Sequence, residues 1–303
     1  MPQRYNNYYI YRPSMGADNN RQKPQKSGPS FRQRFSLIVW LLVVSFVVYF
    51  AYSKHTQAIT NAREATIAEA AKKSEAEAQF ATQVQQIIDN NADATYSVSA
   101  VDIKTGASVK VGSGDAMNAA SCAKVLTAVL FLHEVENGQA SLTDQLGGKS
   151  SQYQLKQLIN QSDDNAWVLF NDRLTHSALL SYARQLGLTS YDPSDDTIST
   201  QDMSSLLLKL YKGQLLGSRH TNLLLSYMQN TNYEQFIVPA IPPSDSVYHK
   251  VGFVDGEIND AAIISNGKSA VALSIFSNGS DMSDQYTRAQ TIQEITKAAL
   301  NLL

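Results

Sequence analysis

The uncharged run from Phe35 to Ser53 limits what this chain can fold into more than any other feature of the sequence. Most of its residues are Leu, Ile, Val, Phe, Trp or Tyr. As a helix the run would span roughly 28 Å, about the thickness of a bilayer core. Soluble helices are seldom apolar on every face. The run is also longer than the apolar core of a signal peptide, and no small-x-small cleavage site follows it. It therefore predicts a membrane-spanning helix at 35–53.

The segments on either side of this run set the predicted orientation and domain organisation. Residues 1–34 are polar and basic, which predicts a disordered tail held in the cytoplasm by the positive-inside rule. Residues 54–79 are rich in Ala, Glu, Lys and Gln and contain no Pro or Gly, which favours a solvated spacer helix, with a coiled coil as the alternative. We expect residues 80–303 to form a globular domain outside the cell membrane, anchored through a single bilayer-spanning helix.

Composition argues against several classes of partner and cofactor. Lys and Arg total 25 against 27 Asp and Glu, so the chain has no general attraction for nucleic acid. One cysteine, Cys122, allows no intramolecular disulfide and disfavours a cysteine-based metal site. The five histidines show no metal-ligand spacing. The sequence therefore predicts no metal and no cofactor, and it leaves the oligomeric state open.

The periodicity of apolar residues after position 80 predicts an α+β fold. Strands are predicted at 96–103 and 107–111, joined by a turn, and later at 246–251, 261–265 and 271–276. Between them lies a helical block, and a closing helix covers 284–303. The predicted helices of the block run from Ser121 to near Gly138, over 154–159, from Ala166, and over 177–186, 201–212 and 219–228. This order suggests an antiparallel sheet flanked by helices, with an all-helical subdomain.

Ser121 and Lys124 open the first helix of the block and form a Ser-x-x-Lys pair. At this spacing the two side chains lie one turn apart on one helix face. A hydroxyl at a helix N-terminus has unpaired backbone N–H groups nearby, and the amine could take its proton. The pattern occurs about once by chance in a chain of this length, so alone it is a weak indication.

Two further segments follow in order, Ser162 to Asn165 (Ser-Asp-Asp-Asn) and Lys250-Val251-Gly252. Together with Ser-x-x-Lys they resemble the signature of class A β-lactamases and penicillin-binding proteins. Tyr248 to Phe253 followed by Asn259 to Ile264 is similar to neighbouring strands of that family, and Ile198 to Met203 to the helix entry after its omega loop. The resemblance covers about 80–303. It implies a β-lactamase/transpeptidase-like fold.

The resemblance also implies roles for particular residues. Ser121 would be the acyl-accepting nucleophile, Lys124 its base, Ser162 a proton relay to the leaving group, and Lys250 a second cation. The oxyanion would lie between the backbone N–H groups of Ser121 and Phe253. The implied substrate-binding residues are Asp164, Asn165, Val251 and Gly252.

This sequence departs from the family pattern at three places. Asp164 stands where the family has Asn. A carboxylate cannot donate a hydrogen bond to a substrate carbonyl, and it would raise the pKa of a neighbouring lysine. Asn165 would take that place if the loop shifted by one residue. Val251 stands where the family has a threonine, so the threonine hydroxyl is absent.

The third departure concerns release of the acyl group. The stretch Gly187 to Thr200 lacks the family's Glu-x-x-x-Asn, whose Glu activates the deacylating water. Only Asp192, Asp195 and Asp196 are available there. Efficient β-lactam hydrolysis is therefore not expected.

Two other patterns near the motifs favour structural interpretations. Lys104-Thr105-Gly106 matches the family's third motif, Lys-Thr-Gly, but it lies at a predicted hairpin turn. Cys122 adjoins the nucleophile, yet its helical position should point it away from Lys124, which favours a small buried filler.

The resulting hypothesis is an extracytoplasmic, membrane-anchored serine hydrolase that acts through an acyl-enzyme. Its substrate would be a β-lactam or a peptidoglycan-like peptide. The alternative is a non-catalytic domain of the same fold that binds cell-wall peptide or a protein partner, which the three departures together motivate. A third hypothesis is a scaffold built around the spacer helix at 54–79.

Overall fold

A single long helix, α1 (Phe31–Asp89), begins the described part of the chain. The computed structural model describes residues 28–303, so most of the predicted tail at 1–34 lies outside the described residues. Helix α1 includes the predicted membrane-spanning segment at 35–53 and the predicted spacer at 54–79 without a break. An 18-residue stretch of α1 is strongly apolar and not buried, so the helix is long and apolar enough to cross a membrane.

Residues 68–303 form one compact unit around a five-stranded antiparallel sheet. The strands are β1 (Thr95–Asp102), β2 (Ser108–Gly112), β7 (Ser246–Val254), β8 (Glu257–Ser265) and β9 (Ala270–Asn278). Their order across the sheet is β2-β1-β9-β8-β7, so β7 lies at an edge. All five were predicted from alternating apolar residues, and the α+β prediction is confirmed.

Two short strand pairs complete the β-structure. They are β3 (Met117–Asn118) with β6 (Thr197–Ile198), and β4 (Gln145–Leu146) with β5 (Lys149–Ser150). Two residues are too few to show alternation, which is why the sequence did not predict them. The β3–β6 pair matters for the site because it joins the segment before Ser121 to the end of the 187–200 stretch.

Seven helices follow α1, at the positions that the sequence predicted to within a few residues. They are α2 (Lys124–Glu136), α3 (Ser151–Asn160), α4 (Asp164–Leu174), α5 (His176–Gln185), α6 (Thr200–Tyr211), α7 (Ser218–Tyr227) and α8 (Gln285–Ala299). Several begin at side chains that accept a hydrogen bond from the first turn. These N-caps are Ser150, Asp163, Thr175 and Ser199.

The sheet separates two apolar cores. On one face, α2 is buried from Lys124 through Leu132 and packs among α3, α4, α5 and α7. On the other face, Ile292 and Ile295 of α8 and Phe80 and Val84 of α1 pack against the sheet. A helix enclosed on nearly every face, such as α2, is held rigidly by its neighbours. Rigid support is what a reactive group at its N-terminus requires.

The last turns of α1 belong to this second core. Phe80 is 1% exposed and Val84 is 0% exposed, and Ile87 and Ile88 are half-buried beside them. These four residues form an apolar face at the end of α1, so the first element of the globular domain continues directly from the spacer. Farther back, Ile67 is 59% exposed.

Replacing Phe80 with alanine should destabilise the domain by about 3–5 kcal/mol, because a fully buried aromatic ring leaves a cavity that the packed sheet cannot fill. Ile67→Ala, on the exposed part of the same helix, should change stability by less than about 0.5 kcal/mol. Urea unfolding of the detergent-solubilised full chain, followed by near-ultraviolet circular dichroism, measures both. Equal effects of the two substitutions would show that the end of α1 is not part of the core.

Candidate active site

The nucleophile candidate Ser121 lies in a single 3₁₀ turn, Ala120–Ala123, that leads directly into α2. Ala120 has a φ of 48°, in the left-handed region that non-glycine residues seldom adopt. Such backbone strain costs about 1–3 kcal/mol and persists only where surrounding contacts enforce it. The turn before Ser121 is therefore held in place rather than relaxed.

Asn118 supplies three of the contacts that hold this turn. Its Oδ1 accepts a hydrogen bond from Ala120 N at 2.7 Å, and its Nδ2 donates to Asp195 O at 3.1 Å. Its carbonyl accepts from Asn259 Nδ2 on β8 at 2.8 Å. Next to it, Ala119 N donates to Asp196 O at 2.8 Å. The backbone before Ser121 is thus fixed both to the sheet and to the 187–200 stretch.

Lys124, the second member of the Ser-x-x-Lys pair, is completely buried. Its Nζ donates to Asp164 Oδ1 at 2.6 Å and to Ser162 O at 2.8 Å, and it lies 4.8 Å from the centre of the Trp167 ring. Burial lowers the pKa of Lys124, and the Asp164 carboxylate opposes that shift. The amine therefore faces a carboxylate at hydrogen-bond distance.

The position of Asp164 settles which residue of the second motif meets Lys124. Asp163 caps α4, its Oδ1 accepting from Ala166 N at 2.8 Å, and this fixes Asp164 as the first helical residue. Asn165 is exposed and is not a hydrogen-bond partner of Lys124. The one-residue shift that would bring Asn165 to the site does not occur, because the capping bond sets the register of the loop.

Ser162 and Lys250 form the opposite side of the site. Ser162 lies between α3 and α4 with a φ of 56°, and Lys250 projects from edge strand β7. Lys250 Nζ lies 2.8 Å from Ser162 Oγ and 2.7 Å from Val251 O. Burial lowers the pKa of Lys250 to about 7, and the positive charge of Lys124 adds to the effect. No carboxylate contacts this amine among the described residues.

Strand β7 approaches the nucleophile turn closely at Gly252. A Cβ at this position would lie 2.5 Å from Ala119 O and 2.8 Å from Ser121 N, closer than atoms can pack. His249 N donates to Met228 O at 2.8 Å, so its N–H points away from β8. Because N–H directions alternate along a strand, Phe253 N–H points to the same open edge. The arrangement is compatible with the predicted oxyanion pair of Ser121 and Phe253.

Two residues of the motifs have side chains that point away from the cleft. Val251 is 3% exposed and packs in the second core on the other face of the sheet, so only its backbone is available to a substrate. Cys122 is 0% exposed and its Sγ donates to Lys250 O at 3.0 Å. Burial raises the pKa of this thiol, which makes it a poor nucleophile, as expected of a buried filler. Lys104-Thr105-Gly106 lies in the turn between β1 and β2, as predicted.

Asp196 is the acidic residue of the 187–200 stretch that lies next to the site. Burial raises its pKa to about 6, and the charges of His176 and Lys124 oppose the shift. The charge of Asp196 in turn opposes the lowering of the Lys124 pKa that burial causes. Asp195 is exposed, and Asp192 Oδ1 accepts from Ser194 N at 2.8 Å.

The sequence did not identify Asn118, Asn259 or Trp167 as parts of the site. Asn259 and Asn118 are 141 positions apart, and only the sheet brings them together. Trp167 follows the capping residue Asp163 by one helical turn, which is a signal that motif reading could have used. Asn118 carries no local pattern that distinguishes it from a loop asparagine.

Comparison with known proteins agrees with this geometry. A family model described as "Beta-lactamase enzyme family" matches residues 79–303, well over half of the chain. The chain belongs to the beta-lactamase enzyme family. This confirms the resemblance drawn from the three motifs. A search of curated protein sequences found no match.

Solved structures of the beta-lactamase family share the fold at low sequence identity. PBP-A is 20% identical with a TM-score of 0.66, covering 72% of this chain and 93% of that one. A β-lactamase from Desulfarculus baarsii is 20% identical with a TM-score of 0.66, covering 73% and 96%. A mutant of the last common ancestor of Gram-negative bacteria class A β-lactamase is 20% identical with a TM-score of 0.68, covering 73% and 97%. At this identity the likeness establishes the fold alone.

Gly252→Ala should lower the rate of covalent labelling of Ser121 by a fluorophosphonate by about tenfold or more. The added Cβ must push β7 away from Ser121 N, and a displacement of about 1 Å in a reactive site can cost a hundredfold in rate. Val254→Ala, at the exposed end of the same strand, is the control and should leave labelling unchanged. Equal labelling of the two variants would mean that the approach of β7 is not needed.

Proposed function

We propose that this protein is a membrane-anchored, extracytoplasmic serine hydrolase that forms an acyl-enzyme on Ser121. The observation that carries the proposal is the position of two buried lysines, Lys124 and Lys250, on either side of Ser162 beside the nucleophile turn. Burying ammonium groups is unfavourable unless they are paired or their pKa values fall, so such clusters concentrate at functional sites. Its proposed substrates are cell-wall peptide amides and, less efficiently, β-lactams.

The contacts of the two lysines favour Lys250 as the base in acylation. Lys124 donates to a carboxylate, which stabilises its protonated form, whereas Lys250 contacts only a hydroxyl and a carbonyl. With a pKa of about 7, Lys250 is partly neutral at physiological pH. Neutral Lys250 can accept the proton of Ser162, and Ser162 can accept that of Ser121. This reassigns the base role that the family resemblance gave to Lys124.

The proposed reaction then proceeds in two stages. Ser121 Oγ attacks the substrate carbonyl carbon while its proton passes through Ser162 to Lys250. The resulting oxyanion accepts hydrogen bonds from Ser121 N and Phe253 N. The carbon–nitrogen bond breaks as the proton returns through Ser162 to the departing amine. Charged Lys124 adds positive potential near the developing oxyanion.

Release of the acyl group is assigned to water activated by Asp196. Its carboxyl is partly buried and interacts electrostatically with Lys124, and a pKa of about 6 places it in the range where a general base is effective at neutral pH. An aspartate is shorter than the glutamate that the family uses, so we expect slower release than acylation. This combination favours a peptidase or a penicillin-binding activity over rapid β-lactam hydrolysis.

Helix α1 supports the proposed location. Its uncharged run at 35–53 has no buried residue, which would be unfavourable in water and favourable in a bilayer. The basic residues before this run favour a cytoplasmic N-terminus and thereby support a site outside the membrane, where cell-wall peptides are found.

Penicillin offers a direct test of the acyl-enzyme. A mutant of PBP-A was solved as an acyl-enzyme complex with penicillin G, and that chain is 20% identical to this one, covering 72% of this chain and 94% of that one. We expect labelled penicillin to form a covalent adduct with this protein, located on Ser121 by peptide mass spectrometry, and to be lost slowly. Ser121→Ala should form no adduct. Absence of labelling by both penicillin and a fluorophosphonate would overturn the proposal.

The second candidate is a non-catalytic domain that binds cell-wall peptide or a protein partner. The observation in its favour is the Lys124–Asp164 ion pair, because a protonated Lys124 cannot act as the base of its family relatives. Under this hypothesis Ser121→Ala would leave the cellular phenotype intact while deletion of residues 80–303 would not. Loss of function in both would favour the hydrolase.

The acylation rate should rise with pH up to about 7 and then level off. Below that pH Lys250 is protonated and cannot accept the serine proton, so the rate should fall about tenfold for each pH unit. Fluorophosphonate labelling of Ser121 across pH 5–9 measures this profile. In Lys250→Arg the cation is always protonated, so we expect a slow rate with no rise near pH 7. An unchanged profile in that variant would exclude Lys250 as the base.

Asp196→Asn should lengthen the lifetime of the penicilloyl adduct by about tenfold or more, because an amide cannot remove a proton from the attacking water. Formation of the adduct should change less than its release. Asp195→Asn removes the adjacent, exposed carboxylate and serves as the matched control. Pulse-chase measurement of bound label distinguishes them, and equal lifetimes in both variants would remove Asp196 from the deacylation step.

A further inference from the structure

The carboxylate of Asp164 lies at the mouth of the site, where it is exposed to solvent although it is paired with a buried lysine. Its Oδ1 is bound to Lys124, yet its side chain is 84% exposed while Lys124 is 0% exposed. Oδ2 makes no hydrogen bond with any described residue. One oxygen therefore anchors the group to buried Lys124, and the other remains accessible to a molecule that enters the cleft.

We propose that Asp164 selects acyl donors that carry a protonated amine on the atom next to the scissile carbonyl. This inference deepens the proposed function and depends on it. The counterpart is rejection of substrates that present an amide carbonyl at the same place. The preferred substrates would thus be peptides or aminoacyl esters with an unblocked amino group.

The first argument is the hydrogen-bonding capacity of the two side chains. An asparagine amide has two N–H donors and suits a substrate carbonyl, while an ionised carboxylate only accepts. An ammonium group forms a charge-assisted hydrogen bond with a carboxylate, which is stronger than a bond between neutral groups. A carbonyl oxygen opposite Asp164 would meet a second acceptor and lose its hydration without compensation.

The second argument is the charge of the surrounding cleft. Asp164 contacts Lys124, and Asp164, Asp163 and Asp196 all oppose the lowering of the Lys124 pKa by burial, so three carboxylates contribute negative potential at this point. Of the two lysines of the site, Lys124 is already paired with Asp164, and Lys250 is partly neutral near pH 7. A substrate ammonium is attracted by such a field, and a substrate carboxylate is not.

The third argument is the rigidity of the carboxylate. Asp164 is the first residue of α4, and the capping bond of Asp163 to Ala166 N fixes the backbone at that point. The bond to Lys124 fixes the side chain. A held group loses little conformational freedom when a ligand binds, so its preference between ligands is expressed nearly in full.

A pair of thioesters that differ only in the amine tests the inference. The full-length, detergent-solubilised protein is assayed with a D-alanyl thioester and its N-acetyl derivative, and the readout is the ratio of kcat/KM for the two. We expect the free amine to be preferred by about tenfold or more, the usual effect of one charge-assisted hydrogen bond. Asp164→Asn should reverse the preference, and Asp195→Asn should preserve it.

The ratio of the two kcat/KM values is informative because a change in the proton-transfer step affects both substrates and cancels in the ratio. Asp164→Asn also removes the partner of Lys124 and can alter the rate with both substrates, but only a specific contact alters their ratio. The preference should also disappear at a pH where the substrate amine is neutral. If wild type and Asp164→Asn show the same ratio, the inference is wrong.

Fluorophosphonate labelling of Ser121 separates this outcome from failure of the proposed function. Labelling together with an unchanged thioester ratio overturns the selectivity of Asp164 and leaves the hydrolase standing. If labelling occurs but neither thioester turns over, protection of Ser121 by alaninamide and by N-acetylalaninamide gives the same comparison. Failure of wild-type Ser121 to be labelled at all overturns both proposals.

Discussion

Two ammonium groups buried beside one serine turn are the constraint on which the rest of this site depends. Lys124 is 0% exposed and Lys250 is 2% exposed, and neither could remain there without compensation. The protein compensates them differently, Lys124 by a carboxylate at 2.6 Å and Lys250 by a lowered pKa and two neutral acceptors. Because the two compensations differ, the lysines are chemically distinct although they lie in one cluster.

Holding these groups requires support from both layers of the domain. Lys124 comes from the enclosed helix α2, Ser162 and Asp164 from the junction of α3 and α4, and Lys250 from the edge of the sheet. The left-handed backbone at Ala120 and Ser162 persists because packing on both sides enforces it. A reactive turn that is strained and anchored at several points resists rearrangement when a substrate arrives.

The departures from the family pattern act together rather than separately. Asp164 is paired with Lys124, and in the proposed mechanism this pairing moves the base role to Lys250 and changes what the cleft accepts from a substrate. Val251 packs in the second core and offers the cleft only its backbone. In the same proposal, Asp196 takes the place of the absent glutamate.

The sequence by itself determined the elements, because each long helix and strand carries its own periodicity, and it determined the family, because three motifs occur in order with the correct spacing. It also led to the prediction of Ser121, Lys124, Ser162 and Lys250 as site residues, and the structure places Lys124, Ser162 and Lys250 in one cluster. Only the tertiary structure decided between Asp164 and Asn165, since the register of that loop depends on the capping bond made by Asp163. The same holds for Asn259, whose contact with Asn118 spans 141 positions. Burial likewise distinguishes the two lysines. The desolvation of a lysine depends on every element packed around it, so it cannot be predicted from the residues next to it in the sequence.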